Sequence, residues 1–102
     1  MTSGLAAALA EASSSSWTRR ARAGRDLAAF ADVPEAADVL VQLLLDPEDT
    51  AVIRRTAEAL ARVGTAAAAQ LIALAAARAD DNQADWLHAG VQDASDGAPQ
   101  AR

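Results

Sequence analysis

The stretch DPEDTAVIRRTAEALARVG (residues 46–64) opens as a turn and continues as an amphipathic helix. Its inward residues recur at spacings of one, three and four, which is the period of a helix with one buried face. They are Val52, Ile53, Thr56, Ala57, Leu60 and Val63. Gly64 stands where a residue with a left-handed backbone commonly ends a helix. The stretch therefore predicts an Asp-Pro turn, one helix and a glycine cap.

Five further segments around this helix follow the same period, namely residues 5–12, 17–31, 34–46, 66–79 and 83–94. Residues that favour helix starts precede them, and the predicted N-caps are Ser3, Ser16, Asp32, Thr65 and Asp81. Pro34 fits the first turn of the third helix. No segment alternates at period two over a useful length, as a strand would. Because the connections are short, we expect antiparallel neighbours in an all-α fold.

The predicted buried faces of the flanking helices are rich in alanine, which accounts for about thirty residues. Alanine buries little apolar area, so the core depends on many small, close contacts. The second helix carries the face Trp17, Arg20, Ala23, Gly24, Leu27, Phe30 and Ala31. The later helices contribute Ala36, Val39, Leu40, Leu43, Leu44, Ala68, Leu71, Ile72, Ala75, Trp86, Leu87, Gly90 and Val91. Trp17 and Trp86 either plug the two ends of this core or anchor an interface.

The helices form pairs that repeat along the chain. Residues 34–46 with 51–64 make one pair, residues 66–80 with 83–94 make another, and residues 17–31 resemble the second helix of an earlier pair. Leu27 aligns with Leu60 at an offset of 33, and Leu40 aligns with Leu71 at an offset of 31. Helix pairs that recur at a period of about thirty residues are typical of an α-solenoid.

The turn and helix of residues 46–64 resemble HEAT repeats, of the short kind often grouped with bacterial phycobilisome-lyase-like repeats. The resemblance rests on Val52, Arg54, Ala57, Ala59, Leu60 and Gly64, which follow a first helix bearing Leu43 and Leu44. Ile53 replaces the family's usual first arginine, and Ala61 replaces its first glycine. The match is strongest over residues 34–64 and weaker over 17–31 and 65–94.

This resemblance implies a short right-handed α-solenoid of antiparallel helix pairs, with about five to six helices. It also implies that Asp46 and Arg54 link neighbouring repeats by hydrogen bonds or an ion pair. The second helices of the pairs would line a concave surface. The motif is architectural and carries no catalytic group.

Length and composition predict one domain over residues 1–96 and a flexible C-terminal tail over residues 97–102. The sequence has no cysteine, so it has no disulfide framework. It also has no run of about 18 apolar residues of the kind that spans a bilayer. The apolar N-terminal segment lacks a basic start and is interrupted by Glu11, so we interpret it as a helix and expect a cytoplasmic protein.

The charge is banded along the chain, with a net charge of −5. Residues 1–31 sum to +2, 32–50 to −6, 51–79 to +3 and 80–102 to −4. The acidic bands would repel phosphate beside any basic strip, which argues against a nucleic-acid partner.

The contact residues that we predict lie on the second helices of the pairs: Arg22, Arg55, Glu58, Arg62, Asp85 and His88. Arg54 is the arginine that we assign to the scaffold, and Arg55 is the freer one. His88 with Asp85 could form a helical acid–base pair, but an exposed histidine explains it as well. Asp80 and Asp81 come nearest to joining them in a metal site, yet helix capping explains these residues better. The sequence has no phosphate loop or nucleophile elbow and implies no cofactor.

The function that these features favour is a non-catalytic module that binds another protein through the second-helix face. Because terminal repeats of a solenoid need polar caps, an alanine-rich end without one would pair with a second copy, so a homodimer is also an open prediction. The alternatives are a small HEAT-like enzyme of the lyase or DNA glycosylase type, or a nucleic-acid binder. An enzyme would need a pocket lined by an aromatic ring and a carboxylate, for example Trp86 with Asp85 and His88.

Overall fold

The computed structural model describes residues 4–97 of the chain. Within them lie six α-helices: α1 (Gly4–Glu11), α2 (Trp17–Leu27), α3 (Pro34–Leu44), α4 (Thr50–Val63), α5 (Ala66–Arg78) and α6 (Asp81–Gly97). A short 3-10 helix (Ala28–Phe30) follows α2 directly. This part of the chain contains no β-strand. The predicted all-α fold of six helices is therefore confirmed.

The helices pack as two layers of a short solenoid. The chain forms the pairs α1–α2, α3–α4 and α5–α6, and the partners of each pair contact one another. The second helices α2, α4 and α6 lie side by side in one layer, with α4 in the middle and its most extensive contact to α6. The first helices α1, α3 and α5 form the other layer. This arrangement exposes the outer face of three neighbouring second helices.

Side-chain caps set most of the helix starts. The Ser16 hydroxyl accepts a hydrogen bond from the backbone N–H of Arg19, and the Thr65 hydroxyl accepts one from Ala68, as predicted. Gly64 ends α4 with a φ of 70°, the left-handed conformation that glycine adopts without a steric penalty. Asp49, which was not predicted as a cap, accepts from the N–H of Ala51 at the start of α4.

Two predicted caps are wrong. The residue before α3 is Val33 and not Asp32, and it provides no side-chain cap. Pro34 occupies the first helical position, where its missing N–H has no partner within the helix to lose. At α6 the cap is Asp80 and not Asp81. The Asp80 carboxylate accepts from the N–H of Gln83 at 2.7 Å, and the Gln83 side chain accepts from the N–H of Asp80 at 2.9 Å. This reciprocal capping box satisfies two backbone donors at once. The predicted cap Ser3 lies outside the described residues.

The core between the two layers is built from leucine, isoleucine and valine together with many buried alanines. Its largest fully buried side chains are Leu27, Leu40, Leu44, Val52, Ile53, Thr56 and Leu60, all of which were predicted to face inward. Val41 is also buried but was not predicted.

Three residues predicted to face inward are instead exposed: Trp17 (38%), Phe30 (36%) and Val63 (39%). Trp17 is the first residue of α2 and contacts α4 through Arg55. Phe30 lies in the 3-10 segment, where three residues per turn in place of 3.6 rotate it off the buried stripe. Val63 is the last residue of α4, beyond the reach of the core. The interpretation of Trp17 as a core plug is therefore wrong.

Two glycines let the second helices approach closely. A methyl group built on Gly24 of α2 would overlap the hydroxyl of Thr56 on α4, and one built on Gly90 of α6 would overlap the backbone carbonyl of Arg54. The small surfaces of α2 and α6 therefore hold both helices tightly against α4, which brings the exposed faces of all three together.

The last helix is longer than the sequence suggested. We expected it to end at Ala94, but α6 continues to Gly97, so the predicted tail of residues 97–102 begins inside the helix. Residues 98–102 of that tail lie outside the described part of the chain. None of the helices between Gly4 and Gly97 is long and apolar enough to cross a membrane.

Candidate functional site

An open groove of about 860 Å³ runs over the exposed face of the second helices. From α2 it is lined by Thr18, Ala21, Arg22 and Arg25, and from α6 by Trp86 and Asp93. The central helix α4 contributes Thr50, Ala51, Arg54, Arg55, Glu58, Ala59 and Arg62. Five arginines face two carboxylates in this lining, which leaves a surplus of three positive charges. The groove is therefore a basic surface on a protein whose net charge is −5.

Arg54 is fixed toward α6. Its guanidinium donates two hydrogen bonds to Asp93, with Nε–Oδ2 at 2.5 Å and a second nitrogen to Oδ1 at 2.8 Å, and its charge lies 5.7 Å from the ring centre of Trp86. Such a bidentate pair is both directional and charge-assisted. The hydrogen bond from Arg54 is the main reason that the pKa of Asp93 lies below its ordinary value, and it raises the pKa of Arg54 in turn. Arg54 thus ties α4 to α6.

Arg55 leaves α4 in the other direction, toward α2. Its guanidinium lies over the ring of Trp17, 5.4 Å from the ring centre. This distance is within the range of a cation–π contact. No carboxylate in residues 4–97 lies within ion-pair distance of Arg55, and its side chain is exposed. Arg55 is therefore held in position while its hydrogen-bond donors stay open to a ligand.

The other charges of the groove are paired to different degrees. Arg62 donates to Glu58 at 2.9 Å, one turn earlier on α4. Arg22 lies 3.8 Å from Glu11 and Arg25 lies 3.9 Å from Asp26. Both of these contacts are long, and the arginine side chains are 53% and 73% exposed. Exposed pairs of this kind contribute little stability, so Arg22 and Arg25 remain available.

Asp46, in the turn between α3 and α4, forms a buried link to α2. Its carboxylate accepts from Arg20 Nε at 2.8 Å and from the backbone N–H groups of Glu48 and Asp49. Arg20 also donates to the backbone carbonyl of Ser14. Burial opposes the ionised form of Asp46, but these hydrogen bonds outweigh it, so the pKa of Asp46 lies below 3.8. Asp46 links the second pair to α2 through Arg20, and Arg54 links α4 to α6 through Asp93. The two residues do not bond to each other.

Four of the six predicted contact residues line the groove: Arg22, Arg55, Glu58 and Arg62. Asp85 and His88 are exposed on α6 but are not part of its lining, so they do not join Trp86 in a cleft. In their place α6 offers Asp93, which was not predicted as a contact residue, and Trp86, which the sequence left open as a core plug or an interface anchor. Their separation of seven residues, two helical turns, was the available signal that they share a face. Within residues 4–97 no three histidine or acidic side chains are grouped so that they could hold a metal ion.

The family model for HEAT repeats matches residues 3–94. This match covers α1 to α5 completely and α6 as far as Ala94. The chain belongs to the HEAT-repeat family. No curated protein and no solved structure matches it significantly.

The repeat alignment accounts for the pairing of Asp46 with Arg20 and not with Arg54. At the offset of 33 residues that aligns Leu27 with Leu60, Arg20 corresponds to Ile53, the position where the family usually has an arginine. Arg20 therefore makes the link to the aspartate of the next turn. Ile53 is buried and uncharged, so it cannot form the corresponding ion pair with the turn between α5 and α6. Two other contacts link the second and third pairs. The Gln83 amide donates to the backbone carbonyl of Leu45, and Arg54 donates to Asp93 on α6.

Proposed function

We propose that this HEAT-repeat chain is a non-catalytic module that holds a segment of another protein in the groove over α2, α4 and α6. HEAT repeats are commonly protein-interaction scaffolds, and solenoids present extended concave faces for binding. The observation that carries the proposal is Arg55, which is exposed, stacked on Trp17 and free of a carboxylate partner within the described residues. An oriented but unpaired cation in a groove is suited to a partner that supplies the missing acceptor.

The groove offers little support for an enzyme of the lyase or glycosylase type. Its two carboxylates, Glu58 and Asp93, are both engaged by arginine. The pKa of Asp93 lies below its ordinary value because of Arg54, whereas a general base works best with a pKa near the operating pH. The hydroxyls of Thr18 and Thr50 have no histidine in the lining to activate them. The arrangement thus favours binding over catalysis.

Two further sequence-based predictions accompany this proposal. The cytoplasmic location stays a prediction, and so does the homodimer through an alanine-rich end of the stack. A dimer through an end would leave the second-helix groove open, so it is compatible with a partner bound there.

The direct test is affinity capture with the wild type and an Arg22→Glu/Arg55→Glu variant, followed by identification and reconstitution of the captured protein. We expect the purified partner to bind the wild type and to lose at least about tenfold in affinity for the variant, since charge reversal repels what the groove attracts. The matched control is Arg19→Glu/Arg78→Glu, which makes the same charge change at exposed sites outside the groove. Equal affinity of the partner for both variants and the wild type would contradict the proposal.

A further inference from the structure

We propose that the partner segment is acidic and that its carboxylates bind Arg22, Arg25 and Arg55. This inference rests on the proposed function, because it names the chemistry of the partner for the same groove.

Arg55 is the anchor of this arrangement because of how it stacks. A guanidinium that rests on an aromatic ring uses its face, while its N–H donors point outward in its own plane. Arg55 lies over Trp17 and lines the groove, and no carboxylate in the described residues takes up its donors. A planar fork of donors matches a carboxylate, which binds with two parallel hydrogen bonds. Trp17 is the positioning residue, because it reduces the freedom that Arg55 would lose on binding.

Arg22 and Arg25 extend the site on α2. Residues three apart are neighbours on a helix surface, so the two guanidinium groups form a second cationic point beside Arg55. Their contacts with Glu11 and Asp26 are 3.8 and 3.9 Å long and solvent-exposed. A carboxylate from a partner can replace these contacts at low cost. Arg54 and Arg62 are less available, because Asp93 and Glu58 already hold them by hydrogen bonds.

The charge distribution favours an acidic peptide over nucleic acid. The groove has a local surplus of three positive charges, but the whole chain has a net charge of −5 and a pI near 4.6. Nucleic-acid-binding domains are typically basic overall, because many consecutive phosphates must be neutralised. Here Glu58 and Asp93 lie inside the groove itself. A peptide with a few spaced carboxylates needs only the available arginines and avoids these acids.

The test is an NMR titration that follows the arginine Nε–H signals and the tryptophan indole signals of the full chain. The probe is a blocked heptapeptide in which glutamate and serine alternate, and its control carries glutamine at every glutamate position. We expect the glutamate peptide to bind at least about tenfold more tightly, with shifts at Arg22, Arg25, Arg55 and Trp17. Added salt should weaken binding of the glutamate peptide, because exposed charge pairs are screened.

Variants separate this site from nonspecific attraction. Arg22→Gln/Arg55→Gln should lower the affinity for the glutamate peptide at least about tenfold, and Arg19→Gln/Arg78→Gln should leave it unchanged. Trp17→Leu should weaken binding although Arg55 is intact, and Trp17→Phe should restore most of it because the ring is retained.

Three results would overturn the inference: equal binding of the two peptides, an equal effect of the two double variants, or binding of a thymidine oligonucleotide in place of the glutamate peptide. If a reconstituted protein partner still needs Arg22 and Arg55 while the glutamate peptide does not bind, the acidic segment is wrong and the proposed function stands. If the peptide binds but no protein partner depends on the groove, the proposed function fails.

Discussion

Two adjacent arginines on α4 have different roles because of the neighbours that each one meets. Arg54 reaches α6, where Asp93 accepts two hydrogen bonds and Trp86 lies under the charge. Arg55 reaches α2, where Trp17 supplies a ring, and no carboxylate of residues 4–97 lies within ion-pair distance of it. The donors of Arg54 are thus used in a link between helices, whereas those of Arg55 stay available to a ligand. The Asp46–Arg20 pair belongs with the first kind, since both side chains are nearly inaccessible to solvent.

We predict that Asp46→Asn destabilises the fold by about 3 kcal/mol at neutral pH, because it leaves Arg20 buried without its counter-charge. The cost should shrink in acid. The pKa of Asp46 is lowered in the folded state, so its stabilising effect is fully present above the unfolded value of 3.8. The effect is lost as the pH falls below 3.8 through the folded-state pKa, where the wild type loses the same charge.

Urea unfolding of the wild type and the variant at neutral pH and in steps below pH 4 measures this difference. Asp38→Asn is the control, since Asp38 is exposed and has no ion pair in residues 4–97. A difference between the wild type and Asp46→Asn that stays constant at low pH would contradict the assignment of the buried charge pair.

At the scale of the helix, the second-helix layer depends on notches that accept a neighbouring helix. Gly24 of α2 receives the side chain of Thr56, and Gly90 of α6 receives the backbone of α4. The Thr56 hydroxyl is fully buried and has no hydrogen-bond partner among residues 4–97. Because no hydrogen bond within the described part of the chain holds this hydroxyl, the close contact of Thr56 with Gly24 depends on shape. The unsatisfied hydroxyl itself costs stability.

We predict that Gly24→Ala destabilises the fold by about 2 kcal/mol, because its methyl group overlaps Thr56 and forces α2 away from α4. In a Thr56→Ala background the same change should cost much less, since the overlapping hydroxyl is gone. Thermal unfolding of the two single variants and the double variant gives the coupling energy between the sites. Gly4→Ala is the control, because among residues 4–97 nothing outside the local helix backbone lies within 4 Å of the added methyl group. Costs that simply add in the double variant would refute the notch.

At the scale of the whole molecule, the two layers form one stack around α4. This helix contacts both other second helices as well as α3 and α5. Leu60 is fully buried near its C-terminal end. In a solenoid each pair is stabilised mainly by its neighbours, so a defect in the central helix affects the whole stack and not one end.

We predict that Leu60→Ala lowers the free energy of unfolding by about 3 kcal/mol, as large-to-small changes in a packed core do. Leu74→Ala should change it by less than about 0.5 kcal/mol, because Leu74 on α5 is 43% exposed. Chemical unfolding followed by circular dichroism compares the two. Similar losses for both variants would show that the stack does not have its core at α4.

The sequence allowed the fold to be predicted wherever one face of a helix is apolar and its ends carry a cap. Ser16, Thr65, Gly64 and the buried stripe of α4 from Val52 to Leu60 all appear where local rules place them. The predictions failed where a second element decides the outcome. The residue before α3 is Val33 and not Asp32. Phe30 does not lie on the buried face, because the chain after α2 forms a 3-10 turn.

The candidate site divides in the same way. Periodicity alone identified Arg22, Arg55, Glu58 and Arg62 as residues of the exposed second-helix face. It did not identify Asp93 as the partner of Arg54, because 39 residues separate them in the chain. It also did not separate Asp85 and His88 from the groove, since a helix pattern does not say which exposed side meets the neighbouring helix.

By itself the sequence determined the helices and their pairing, which follow from local periodicity and capping, and it indicated the family through the resemblance of residues 46–64 to HEAT repeats. Only the tertiary structure decided which charged side chains pair with each other and which remain unpaired at the surface. That decision depends on the close approach of α2 and α6 to α4, which aims Arg54 at a carboxylate and Arg55 at an aromatic ring.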